Sequence, residues 1–541
     1  MSALKPLDEL DTHAVFNQPP PFEDVNLFTS DLALREAVAR AGGAGHGARL
    51  VALGAKAGSA EAIQWGVEAN RNIPVLETHD RYGHRIDEVR FHPAYHALMR
   101  MGLESGFASI AWTGEKAGHV AHTAILMLAG QADSGTLCPM TMTYAAVPSL
   151  QAERAVAEEW VPRIQVGRYD PDFRPAHEKL GVTIGMAMTE KQGGSDVRAN
   201  TTRAEPLAET GWYRLAGHKW FCSAPMCDAF LTLAYAAGGL TCFLVPRWLG
   251  DGTRNAGFRV MRLKDKLGDR SNASSEIEYH GALAQRLGEE GRGVSTIIRM
   301  VQHTRLDCVA GSAQQMRAAL AQALWHTAHR SAFQRRLIDQ PAMANVLADL
   351  ALESEAASTI AIRLAQAFDE DDPVARLLTP IAKYWVCKRA PGHVYEAMEA
   401  HGGAGYVEAG PMPRLFRQSP LNAIWEGSGN VIALDVLRAM AREPEGIDAM
   451  QQFLAAQRGK NGTYDAYVSA ITFKGVTEGS ARQFVERLAL AAQAAVLFAF
   501  ESPVADAFAT LRLEARGMAY GAFDAAVDAR AIIARAMPAA A

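Results

Sequence analysis

The chain has 541 residues, 49% apolar, 21% charged and 8% aromatic, the profile of a well-packed globular protein of three or four domains at roughly 100–200 residues each. Fifty-four Lys and Arg against 59 Asp and Glu leave a formal charge of −5, which excludes a globally basic nucleic-acid coat. There is no apolar run of about 18 residues, so a membrane span is excluded. Residues 1–17 lack the basic start and apolar core of a signal peptide, and a cytoplasmic protein is expected. Cys138, Cys222, Cys227, Cys242, Cys308 and Cys387 form no CxxC pair and no zinc spacing, so they read as reduced, mostly buried thiols with no metal.

Taken along the chain, residues 27 to about 165 read as helical. Ser30 is a plausible N-cap before Asp31–Val38, and Tyr95, Leu98, Met99 and Leu103 recur at helical spacing. The Ala-rich stretch 107–130 suits a central bundle helix. Near 181 the texture changes to short stretches bounded by turn residues: Trp212-Tyr-Arg-Leu, His218-Lys-Trp-Phe, Phe230-Leu-Thr-Leu-Ala, Cys242-Phe-Leu-Val and Glu276-Ile-Glu-Tyr. These predict an antiparallel sheet unit of about 110 residues. The helical period returns at Ser295 and runs to about Met440. Residues 441–446, Ala-Arg-Glu-Pro-Glu-Gly, read as a linker, and the remainder is again helical. The expected division is 1–180 helical, 181–290 β, 291–440 helical bundle and 441–541 an extra helical unit.

Three stretches carry chemistry. Thr189-Glu-Lys-Gln-Gly-Gly-Ser-Asp196 exposes backbone N–H groups beside two hydroxyls, and can hold a phosphate or the edge of a flat polar ring; an ordinary Gly-rich turn reads the same way. Gly217-His-Lys-Trp-Phe-Cys-Ser223 places aromatics beside a hydroxyl, which suits either a flavin face or a half-buried strand. Ile424-Trp-Glu-Gly-Ser-Gly-Asn430 sets one carboxylate, Glu426, between apolar residues and glycines. Desolvation there would raise its pKa and make it a general base; a loop Glu facing solvent is the alternative. Gly402-Gly-Ala-Gly-Tyr406 is a second segment suited to close backbone approach. No GxGxxG opens a βαβ unit, so a Rossmann site is not expected.

Four colinear blocks, His13-Ala-Val-Phe-Asn-Gln-Pro19, Met186–Asp196, Lys264-Asp-Lys-Leu-Gly-Asp-Arg-Ser-Asn-Ala-Ser274 and 424–430, resemble the acyl-CoA dehydrogenase family. The family similarity spans about 80 to 440, and the match is nearest to the family's alkylation-response flavoproteins. The resemblance implies an α+β multidomain fold: an N-terminal helical domain, a middle antiparallel β domain, a C-terminal four-helix bundle and an extra C-terminal helical domain, with FAD held among them. Met188 and Thr189 would meet the flavin edge, with Met186 nearby. Gly194 and Ser195 would lie near the ring and diphosphate, and Phe221 and Ser223, with Cys222 between them, would pack against the ring. Ser428 and Asn430 would reach the ribityl and adenosine side. Arg330, Phe333 and Gln340 match the segment that a neighbouring subunit gives to the diphosphate and adenine, and Gly402 and Gly403 match the Gly-Gly loop there. A homotetramer is implied.

Glu426 matches the family's base. It would take the α-proton of an acyl-CoA thioester as the β-hydride passes to flavin N5, while the ribityl hydroxyl and the Glu426 N–H polarise the thioester oxygen. The isovaleryl-CoA type of the family places its base one residue before an Arg on an earlier helix. That position is Thr304, before Arg305, and cannot act as one. Glu399, Gln334 and His401 depart from the family's usual Gln, Gly and aliphatic residue. Two functions are implied. One is oxidation of a small branched acyl-CoA, isovaleryl-CoA-like, with an electron-transfer flavoprotein as acceptor. The other is a flavin-containing, double-stranded-DNA-binding role in the adaptive response to alkylation damage. Residues 441–541 hold ten Lys and Arg against eleven Asp and Glu, so any non-specific DNA face must come from segregated charge.

Overall fold

The computed structural model describes residues 7–514, 519–523 and 527–538. The first helix, Leu32–Arg40, is capped one residue later than expected: the Asp31 carboxylate, not Ser30, accepts from the Leu34 N–H, and its charge also suits the helix N-terminus. Helices Gly118–Ala132 and Leu137–Leu150 are apolar on every face and buried along nearly their whole length, as central helices must be. The N-terminal part is not purely helical. β1 (Val75–His79) and β2 (Arg85–Arg90) pair antiparallel, and Asp80 closes their turn by accepting from the Tyr82 and His84 N–H groups.

Seven strands form the middle sheet: β3 (Ile184–Ala187), β4 (Arg203–Pro206), β5 (Trp212–Ser223), β6 (Ala229–Ala236), β7 (Gly239–Pro246), β8 (Phe258–Leu263) and β9 (Ser274–Leu287). In the order β3-β6-β4-β5-β9-β7, with β6 also on β7, five strands close into a ring, while β3 and β8 are each paired along one side only, with β6 and β9 respectively. The pairing corrects the expectation of a wholly antiparallel sheet, because β6 pairs in parallel with both β3 and β4. Intervening strands separate β6 from each of them, and a parallel neighbour requires such a long connection.

Helices Gly293–His329, Pro341–Asp369, Ala375–Glu399 and Gly429–Arg442 build the C-terminal bundle. The predicted linker at 441–446 is not a loop. The chain bends only at Glu443 (φ −134°, ψ 75°), and Pro444 opens the next helix, Pro444–Ala455, where its missing N–H costs nothing. Helix Ala481–Ala499 then packs against three bundle helices. Buried Arg512 pairs with Asp349 and, at 3.1 Å, with Glu353. All six cysteines are buried and unpaired. Among the described residues, no helix is long and apolar enough to cross a membrane.

Candidate active site

Glu426 sits in the turn that precedes helix Gly429–Arg442, at φ 58°. A left-handed conformation costs a non-glycine residue on the order of 1–3 kcal/mol, so the surrounding structure must hold it. Two cations do so. Lys383, 1% exposed on helix Ala375–Glu399, donates from Nζ to the Trp425 carbonyl at 2.8 Å and also to the Gly427 carbonyl. Arg305, on helix Gly293–His329, donates through Nε to the Glu426 carbonyl at 3.2 Å and through Nη1 to Asp435 Oδ2 at 2.7 Å. Three successive carbonyls are thus each tied to a charged donor. Gly427, at φ 104°, completes the turn; a Cβ there would meet Ile432 Cδ1 at 2.8 Å.

The Glu426 side chain is directed at Thr304, whose hydroxyl donates to Oε2 at 2.7 Å. Burial pushes the carboxyl above its ordinary range, against the Thr304 hydrogen bond and the charges of Arg305 and Lys383. The residue that occupies the alternative base position is therefore a hydrogen-bond partner of Glu426.

The 189–196 loop is anchored just as firmly. The Thr189 carbonyl accepts from the Trp220 N–H at 2.7 Å, linking the end of β3 to β5. Glu190 is fully buried, accepts from both the N–H and hydroxyl of Thr201 and of Thr202, and pairs with Lys219 at 2.9 Å. Burial opposes its ionisation, but Lys219 and these donors hold it well below the usual carboxylate range. A Cβ on Gly194 would run into the Thr189 hydroxyl, so the loop folds over that residue. Met186 and Met188 are half-buried here, and Gly194 and Ser195 are exposed.

On β5, Phe221 and Ser223 are two residues apart and share a face. Phe221 is 49% exposed, and the Ser223 hydroxyl lies 3.2 Å from that of Ser274. Cys222 points the other way, into the core, and is fully buried with its carbonyl already accepting from the Ser275 hydroxyl at 2.9 Å, so it offers nothing to a ligand, contrary to the expectation that it contributes to the flavin site. Ser428 and Asn430 are exposed at the start of helix Gly429–Arg442, where the Ser428 hydroxyl makes no capping bond. Asn430 Oδ1 accepts from Arg482 Nη1 at 3.5 Å. An exposed ring, free hydroxyls and exposed loop N–H groups fit a flavin and its ribityl chain.

Arg330, Phe333, Gln340, Gly402 and Gly403 form a second group. Gln340 Nε2 donates to the Ala332 carbonyl at 3.2 Å, and the rings of His326 and His401 lie 4.6 Å apart, which brings the Gly-Gly segment to the end of the long helix. Phe333 is 94% exposed, and a Cβ on Gly402 or Gly403 would meet nothing within 4 Å. Gln334, in place of the family's Gly, takes up φ 61°, the conformation for which Gly is the usual choice. Arg330 follows Arg305 by 25 positions along the same helix, about 37 Å at helical rise. Arg330, the C-cap of that helix, therefore stands far from the Glu426 turn, which Arg305 meets about a third of the way along it.

The sequence reading did not single out Lys383, Asp435, Glu190 or Lys219. A lysine inside the apolar run Ile381-Ala-Lys-Tyr-Trp385 was the available signal for the first.

The three-part fold, with a desolvated carboxylate in the turn before its last bundle helix, is that of an acyl-CoA dehydrogenase. Family models match accordingly: the adaptive response protein AidB N-terminal domain at 17–171, the acyl-CoA dehydrogenase middle domain at 185–282 and its C-terminal domain at 291–441. AidB of Escherichia coli (strain K12) is 44% identical over 517 residues, 94% of this chain and 95% of that one. Acyl-CoA dehydrogenase family member 11 of Caenorhabditis elegans is 29% identical over 460 residues, 81% of this chain and 73% of that one. Among solved structures, the Bd2924 apo-form has a TM-score of 0.81 at 28% identity, covering 90% of this chain and 100% of that one. Caenorhabditis elegans ACDH-11 in complex with C11-CoA has a TM-score of 0.82 at 26% identity, covering 92% and 91%. The chain belongs to the acyl-CoA dehydrogenase family, as one of its AidB-type members, and is an FAD-dependent oxidoreductase.

Proposed function

We propose that this protein oxidises a small, branched acyl-CoA thioester, isovaleryl-CoA-like, with Glu426 as the base. The carrying observation is the desolvated Glu426 carboxylate, directed by Thr304 and fixed by the carbonyl contacts of Arg305 and Lys383. A carboxylate with a raised pKa is matched to taking a carbon-bound proton near neutral pH. Bound FAD supplies the hydride acceptor. Thr189, Ser195, Phe221, Ser223, Ser428 and Asn430 would hold and orient it, and the Glu426 N–H would donate to the thioester oxygen as enolate charge develops. A small acyl group is supported by the wall beside Thr304. His303, the preceding residue, lies 4.9 Å from the ring of Phe368, 5.4 Å from Trp112, and 5.5 Å from both His119 and Tyr144, which fills that side of the helix.

The roughly 37 Å between Arg305, beside the Glu426 turn, and Arg330 supports a homo-oligomer, a tetramer on the family pattern, because one FAD whose ring lies beside Glu426 cannot also bring its diphosphate to Arg330 of the same subunit. The double-stranded-DNA role has less support. In the appended segment Arg512 and Arg535 are spent on inward ion pairs, and Lys460 and Arg487 on the Phe498 and Ala470 carbonyls; Arg516 lies outside the described residues. DNA binding would show as an affinity that falls steeply between low and physiological salt.

The deciding experiment is an anaerobic titration of the FAD-loaded protein with isovaleryl-CoA. Stoichiometric bleaching of the flavin spectrum is expected, and Glu426→Gln should retain FAD but abolish bleaching. Bleaching that survives Glu426→Gln removes Glu426 as the base.

A further inference from the structure

The His13–Pro19 stretch has no part in the chemistry above, yet it is fastened to the end of the helix that carries Arg330. Asn17 adopts φ 59°, a left-handed conformation that Asn tolerates better than most side chains. Its side chain and carbonyl can then serve the same neighbouring segment. Asn17 Nδ2 donates to the Ser331 carbonyl at 2.9 Å, and Oδ1 accepts from the Ser331 N–H at 2.8 Å, so one side-chain amide engages both backbone groups of that residue. The Asn17 carbonyl and Gln18 Oε1 accept from Arg330 Nη1 at 2.9 and 3.2 Å. Farther along, Trp325 Nε1 donates to the Pro20 carbonyl at 2.8 Å, and the Phe22 ring lies 5.4 Å from Trp325.

Both acceptors on Arg330 are neutral, so its charge is not cancelled by them. They engage one terminal nitrogen and leave the rest of the guanidinium edge for a bidentate acceptor. A cation already held in one orientation loses less freedom on binding than a mobile one, and the difference appears as affinity.

We propose that residues 13–22 are part of the FAD-binding apparatus, with Asn17 and Gln18 as positioning residues that hold the Arg330 guanidinium for the FAD diphosphate. The proposal rests on the assignment of Arg330 to that diphosphate. The arm acts through Arg330 and through the adjoining hairpin, Ser331–Ala332 paired with Arg335–Arg336, whose turn presents Phe333.

The test is a double-mutant cycle on the full-length protein stripped of FAD, with FAD dissociation constants read from flavin fluorescence quenching and apo-protein melting recorded alongside. Asn17→Ala is expected to weaken FAD binding about tenfold. Arg330→Gln should weaken it at least as much, and Asn17→Ala should add little in the Arg330→Gln background, since the arm works through that side chain. Wild-type affinity in Asn17→Ala, or a fully additive double mutant, overturns the role of the arm. Unchanged affinity in Arg330→Gln removes instead the assignment beneath it. Should Asn17→Ala disturb folding, Gln18→Ala, which removes one acceptor and leaves the turn intact, is expected to weaken binding severalfold with the same non-additivity. Its wild-type affinity would likewise overturn the proposal.

Discussion

Arg305 and Asp435, 130 residues apart in sequence, form an ion pair at 2.7 Å while Arg305 also holds the Glu426 carbonyl. The guanidinium favours the ionised form of Glu426, and Asp435 partly cancels that charge. In Asp435→Asn the cancellation is lost while an amide oxygen remains to accept from Arg305. The Glu426 pKa should then fall, and the acidic limb of the rate of flavin reduction by isovaleryl-CoA should move to lower pH by about one unit or less. Stopped-flow reduction rates across pH check this, and an unmoved or upward-shifted limb would show that Asp435 does not tune the base.

Lys383 bears on the same turn by geometry. Lys383→Met keeps the length and apolar stem but leaves the Trp425 and Gly427 carbonyls without their donor. Each buried orphan costs about 1–3 kcal/mol, so the melting temperature should drop. Flavin reduction should slow by at least about tenfold, since a misplacement of the base on the ångström scale already costs that much. FAD affinity should hold, because Lys383 faces the loop backbone. Wild-type reduction rates in a folded Lys383→Met variant would remove the clamp from the mechanism.

The candidate base was legible because Glu426 lies in a local block whose residue types suggest its chemistry, and the structure places that carboxylate in a desolvating turn. What surrounds it was not. Thr304, Arg305, Lys383 and Asp435 come from three helices and converge only in the folded chain, and nothing around Asp435 marks it as a partner of Arg305. The fold divides in the same way. Long periodic helices and the onset of strands near 181 were readable, but the parallel pairing of β3 with β6 was not, because register and direction are set by non-local contacts. The β1–β2 hairpin was missed because its short strands lie inside helical surroundings. Pro444 looked like a linker residue, although the same residue serves equally well in the first turn of a helix.

Asp269 supplies a pH test independent of turnover. Burial pushes its carboxyl up to about 7 against the pull of Lys266, with Asp133 adding to the rise. A group whose pKa is higher folded than unfolded stabilises the fold fully below its unfolded value, near 4, and loses that contribution as pH rises through 7. Urea unfolding should therefore show this contribution at pH 4 declining by roughly 2–4 kcal/mol by pH 8. Asp269→Asn, which cannot ionise, should flatten that part of the profile. Parallel profiles for the two proteins across this range would show that Asp269 ionises normally.

The appended segment makes the last prediction. Arg512 is buried between Asp349 and Glu353 of helix Pro341–Asp369. Removing one member of a buried ion cluster leaves the others uncompensated, at about 3–5 kcal/mol, whereas replacing the whole cluster by apolar residues of similar volume is often neutral. Arg512→Ala should therefore lower the urea midpoint sharply and open the C-terminal segment to limited proteolysis. Arg389 also pairs with Glu353, at 3.2 Å, so the variant that replaces the whole cluster, Arg512→Met, Asp349→Leu, Glu353→Leu, Arg389→Met, should recover much of the loss. The discriminating comparison is between the two. If the single variant is as stable as wild type, the cluster does not hold the segment in place, and packing of helix Ala481–Ala499 against the bundle, with the Arg535–Glu355 ion pair, must do so.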